Sequence, residues 1–168
     1  MRAILRAIDM VCAIGAGLAA AACLALAVML IVEVISTSFL AWSQPWAVEY
    51  SGYLLAATLF AGAGWTLGQG GHVRVSVLIQ LIPPRGQRIA DLMATVFALG
   101  LAIFVDVYLV ENAWRSHLRG SVSYYPSATP LWMPQAVLAF GWVVLALGLA
   151  GRAIRLLAGL APEAGAPP

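Results

Sequence analysis

The sequence predicts an all-α integral membrane protein of four transmembrane helices, with both termini in the cytoplasm and a short interfacial amphipathic helix between the second and third spans. Three observations predict it. Of 168 residues, 62% are hydrophobic and only 10% charged, whereas a soluble domain carries about 25% charged residues. Four apolar runs are long enough to cross a bilayer. The cations are all Arg and fall mostly on one side of those runs. A formal charge of +2 with charges this sparse excludes a nucleic-acid binder and a disordered chain.

The first run, Val11 to Val32, carries no charge and measures about 33 Å as a helix, enough for a hydrocarbon core of about 30 Å. Arg2 and Arg6 ahead of it raise a signal peptide as a rival, but the apolar core of a signal is about 7 to 15 residues, shorter than this run. The second run, about Tyr50 to Leu67, opens with Pro45, Trp46 and Glu49 and closes on Gly68, Gln69, Gly70 and Gly71. Proline and an acid near a helix start suit the missing N–H partner and the dipole. The third, Leu92 to Val110, is interrupted by Asp106, and the fourth runs from Leu131 to Gly151. Trp42, Trp46, Trp114 and Trp132 fall beside span ends, where an aromatic belt is expected.

Arg2, Arg6, Arg74, Arg85, Arg88, Arg152 and Arg155 share one side, and Arg115 and Arg119 hold the other. The positive-inside rule therefore places both termini in the cytoplasm. Residues 1–160 are expected to form a single four-helix membrane domain, followed by a disordered tail of Ala, Gly, Pro and one Glu at 161–168. Gly15 with Ala19, and Gly64 with Gly68, share helix faces and suit close packing in lipid; alanine-rich spans also produce such spacings by chance. No internal repeat is visible, which removes support for a transporter of inverted repeats.

Between spans two and three lies a segment too apolar for an ordinary loop. If 73–82 is helical, Val75, Leu78, Ile79 and Ile82 share one face, with Ser76 and Gln80 beside it. The segment is too short to span, so it is read as a helix in the cytoplasmic interface or against a neighbouring protein, ended by Pro83 and Pro84.

Four stretches in order carry a resemblance: Glu49-Tyr-Ser-Gly-Tyr-Leu opening span two, His72-Val-Arg-Val after its Gly-rich end, Leu81-Ile-Pro-Pro-Arg-Gly-Gln-Arg, and Pro130-Leu-Trp-Met-Pro-Gln opening span four. The chain resembles the small membrane subunit of tripartite ATP-independent periplasmic (TRAP) transporters over nearly its whole length. It departs from that family's pattern at Ser76, where an Asp is common, which leaves open an ion pair between that acid and a nearby Arg. The resemblance implies a bacterial inner-membrane complex in which a large multispanning subunit carries an organic acid and sodium in an elevator-like movement, supplied by a periplasmic substrate-binding protein. The small subunit then packs on the stationary scaffold and helps form the docking surface for the binding protein.

Five residues are candidates for a partner or lipid interface. Asp106 is an acid inside an apolar run, functional by default; the alternative is that it reaches the outer interface and pairs with Arg115 or Arg119. Glu49 is read as structural, stabilised by the helix dipole, with a cation of the large subunit as the alternative. His72 is expected to cap span two. Arg74 is expected to bind lipid phosphate or backbone carbonyls, against a solvated positive-inside charge. Cys12 and Cys23 lie about 16 Å apart along one helix, too far for a disulfide, and are read as packing residues. No residue pattern supports catalysis, a metal or a cofactor. A rival from another class is a self-contained four-span transporter acting as a homodimer, for which Asp106 is the nearest thing to a midplane acid.

Overall fold

The computed structural model describes residues 1–71 and 83–162. They form four helices: α1 (Arg2–Phe39), α2 (Ala47–Gly68), α3 (Pro84–Leu118) and α4 (Trp132–Leu157). The expected amphipathic helix at 73–82 and most of the expected tail lie outside the described residues.

Each helix ends where its sequence supplies a reason. At the end of α1, the Leu40 and Trp42 amides both bond the Ser36 carbonyl. α2 closes through Gly70 at φ 72° and a Gly71 N–H to Thr66 carbonyl bond of 2.8 Å; glycine enters that left-handed conformation without a Cβ clash. Pro83 is extended and Pro84 occupies the first turn of α3, where its missing N–H costs nothing. α4 closes through Gly159 at φ 77°, with the Leu160 amide on the Arg155 carbonyl. α1 and α3 run well past the apolar stretches that mark them in the sequence, because their charged flanks continue the helix.

α4 is the centre of the fold. Among the described residues it packs on α1, α2 and α3, and α1 also packs on α2, whereas α3 rests on α4 alone. Glycine sets these approaches. A Cβ at Gly15 would sit 2.5 Å from the Ala61 carbonyl oxygen, one at Gly64 2.6 Å from that of Val144, and one at Gly141 2.6 Å from Cβ of Phe60. The Gly15 and Gly64 faces read from spacing are therefore real contact faces. Val144, the side chain with no solvent exposure, lies where α1, α2 and α4 meet, and the buried Cys12 thiol donates to its carbonyl at 3.8 Å. Cys23 is exposed, and both cysteines are free.

Three helical stretches, Arg2–Phe39, Gly86–Leu118 and Trp132–Leu157, are long and apolar enough to cross a membrane. α2 falls outside that set, consistent with Glu49, two Tyr, a Ser, two Thr and four Gly in its sequence.

Candidate functional site

The polar groups gather at the two ends of the bundle. At the end that bears the termini, α4 projects two arginines in opposite directions. Arg152, only 4% exposed, bonds both oxygens of Asp91 on α3 through Nη2 at 2.9 and 2.6 Å, and its Nε reaches Thr95 Oγ1 at 3.3 Å. Arg155 bonds both oxygens of Asp9 on α1 at 2.7 Å. Arg88 on α3 donates to the Leu156 carbonyl at 3.1 Å, where the helix end leaves an acceptor open. The two ion pairs tie α4 to its neighbours at the depth where each apolar run begins.

Sequence reasoning took Arg152 and Arg155 as positive-inside charges and gave Asp9 and Asp91 no role. A signal for them was present: two acids and two arginines flank apolar runs on one side, and in a chain this poor in charge such groups pair when desolvated.

At the opposite end each acid fastens a loop. Glu33, near the end of α1, accepts from Ser43 Oγ at 2.7 Å and from the Gln44 amide at 3.0 Å, which turns the chain toward α2. Glu49, in the first turn of α2, is buried and accepts from the Tyr53 hydroxyl at 2.7 Å and from the Ser127 hydroxyl. Thr129 donates to the Tyr50 hydroxyl at 3.3 Å. The segment between α3 and α4 is a hairpin closed by Ser123 N–H to Thr129 carbonyl and Leu131 N–H to Ser121 carbonyl bonds of 2.9 and 3.0 Å, and Glu49 pins its tip region to α2. Desolvation pushes the Glu49 carboxyl up, but the hydroxyls of Ser127, Tyr53, Ser123 and Thr129 outweigh it and hold the group below the usual carboxylate range. Tyr124, at the far side of the hairpin, is fully exposed.

The five sequence candidates are not brought together. His72 and Arg74 lie outside the described residues. Glu49 is engaged within its own chain. Arg115 is exposed and pairs with Glu111 one turn back instead of reaching Asp106, and Arg119 Nε bonds the Arg115 carbonyl. Asp106 stands on the α3 stripe of Ala102, Val110, Ala113 and His117. One of its carboxylate oxygens is buried with no hydrogen-bond partner, as is the Gln135 side-chain oxygen on α4. Further along, α3 and α4 part into an apolar groove of about 460 Å³ lined by Val110, Trp114, His117, Trp132, Phe140 and Val143. The His117 ring stands edge-on to Trp132 with centroids 5.3 Å apart.

No curated protein matches the chain. Residues 26–159 match the family described as tripartite ATP-independent periplasmic transporters, DctQ component. That span takes in part of α1 and all of α2, α3 and α4, together with both loops fastened by Glu33 and Glu49. That family is a component of transporters and not an enzyme. The chain belongs to the DctQ family, the small component of the tripartite ATP-independent periplasmic transporters.

Proposed function

We propose that this chain is the accessory scaffold subunit of a TRAP-type, sodium-coupled importer of organic acids, working with a large multispanning subunit and a periplasmic substrate-binding protein in a bacterial inner membrane. All four helices span the bilayer in this reading, with α2 shielded by α1 and α4, and both termini cytoplasmic. The arginine distribution supports that orientation. The observation that carries the scaffold role is the position of α3, which among the described residues packs on α4 alone and leaves Met93, Phe97, Phe104 and Val107 exposed along its length. A soluble chain does not leave such a face uncovered, and beside a larger membrane protein it is a wall. The interface we propose includes Asp106, whose carboxylate finds no donor among the described residues, together with Arg115, His72, Arg74 and the α2 opening at Glu49. Membrane lipids cover what the partner does not.

The test is purification from the native host in mild detergent with mass spectrometry of what accompanies the chain. Recovery of a larger multispanning protein is the expected result, and charge reversal at Asp106 or Arg74 then weakens the complex or its transport. A stable homodimer that transports alone overturns the scaffold reading in favour of a self-contained carrier.

A further inference from the structure

Among the described residues, one cavity brings both members of an ion pair to a shared wall. It measures about 230 Å³ and is lined by Ile8, Asp9, Cys12 and Ala13 of α1, Gly64, Trp65 and Gly68 of α2, the following Gln69, and Gly148 and Arg155 of α4. Glycines on two helices leave the volume open. The cavity lies at the termini-bearing ends of three helices, where the first apolar run begins and the last one stops, which in a bilayer is the headgroup level.

Its chemistry is specific. Arg155 is nine-tenths buried and uses Nη2 on the Asp9 carboxylate; a guanidinium has five N–H donors, so it retains donors for an anion. Asp9 is the more open partner, with its side chain 39% exposed against 10% for Arg155, and a carboxylate accepts more bonds than this pair uses. One cation and one anion side by side leave the cavity with no net charge. A net anionic ligand meets Asp9, and a simple cation meets Arg155. A ligand carrying both a phosphate and an N–H-bearing ammonium satisfies both.

We infer that the cavity between the termini-bearing ends of α1, α2 and α4 binds the headgroup of a zwitterionic phospholipid of the ethanolamine type, its phosphate on Arg155 and its ammonium on Asp9. Gln69 adds an amide at the rim, and the half-exposed Trp65 gives the glycerol region an amphipathic wall. The site is independent of the subunit's role in transport.

Native mass spectrometry of the full chain in mild detergent, supplied with equal amounts of phosphatidylethanolamine, phosphatidylglycerol and phosphatidylcholine, tests it. Phosphatidylethanolamine is retained in preference to the other two, because phosphatidylglycerol repels Asp9 and a quaternary ammonium has no N–H to give it. Arg155→Met weakens retention about tenfold or more, the worth of a charge-assisted hydrogen bond. Asp9→Asn shifts preference toward phosphatidylglycerol. Since Asp9 and Arg155 also join α1 to α4, Ala13→Leu supplies a second variant: it leaves the ion pair intact, fills the cavity from an exposed helix position, and expels the lipid while helicity is unchanged. Equal retention of the three lipids, or full retention in both Arg155→Met and Ala13→Leu, overturns the assignment. Free phosphoethanolamine binding the delipidated chain as tightly as the lipid also overturns it, in favour of a soluble ligand.

Discussion

The Arg152–Asp91 pair gives an asymmetric prediction. Arg152 is 4% exposed, whereas the Asp91 side chain is 28% exposed, so the two ends of one ion pair are desolvated to different degrees. Asp91→Leu strands a guanidinium that is nearly out of solvent and already has one terminal nitrogen without a partner. Removing one member of a buried pair costs about 3–5 kcal/mol, and this substitution belongs in that range. Arg152→Met strands a carboxylate that water still reaches, and the long apolar side chain fills the same space, so the cost falls to about 1–2 kcal/mol. The double variant has no charge to strand and costs less than Asp91→Leu alone, since a hydrophobic replacement of a buried pair is often neutral or better. The chain has six Trp, and fluorescence-detected unfolding in mixed micelles gives all three values, with about 1.4 kcal/mol corresponding to tenfold in the folded ratio. Equal costs for the two single substitutions, or a double variant costing their sum, would refute the argument that burial of Arg152 controls the energetics.

Gly64→Ala places a Cβ 2.6 Å from the Val144 carbonyl oxygen, forces α2 from α4, and lowers stability by about 1–3 kcal/mol; Gly100→Ala, with nothing within 4 Å of its Cβ, gains up to about 1 kcal/mol from helix propensity. A chain that tolerates both equally in thermal melts lacks the α2–α4 contact described above. The depressed Glu49 carboxyl makes the hairpin pH-sensitive: its contribution is fully present above the ordinary carboxylate value of about 4.3 and is lost as pH falls through the lower folded value. Amide protection at 121–131, taken relative to the unfolded chain at each pH, therefore holds from neutral pH down to the ordinary carboxylate value and falls below it, and Glu49→Gln abolishes that dependence. Glu111→Ala breaks only an exposed pair with Arg115 and shifts stability by less than about 1 kcal/mol in the same melts.

How much of this was legible in the sequence depends on the range of each interaction. Helix existence follows from local apolar runs, and Gly15 and Gly64 could be read because a small residue every fourth position faces one way whatever it meets. Helix ends were read short, since charged flanks such as Arg88 to Asp91 and Glu111 to Leu118 continue α3 although they break its hydropathy. The ion pairs were missed for a different reason. Arg152 with Asp91 and Arg155 with Asp9 join different helices, and nothing in the spacing says which helices adjoin α4. The same holds for Glu49, which its position in α2 explains by the dipole but which its contacts explain by Ser127, far along the chain.

Six acids fall among the described residues, and five are hydrogen-bonded within the chain: Asp9 to α4, Asp91 to α4, Glu33 and Glu49 to loops, Glu111 to Arg115. An apolar chain gains most from charge by using it internally, because every ion left facing lipid carries a desolvation cost that nothing offsets. What remains to meet a partner is then mainly shape: the exposed flank of α3, the aromatic groove beside it and the Tyr124 hairpin. Asp106 is the exception, an acid within a span with no hydrogen bond to any described residue. If its requirement is met by the large subunit, Asp106→Asn leaves the isolated chain as stable as before and weakens the complex. If the substitution changes neither, lipid-facing packing alone holds the subunits together.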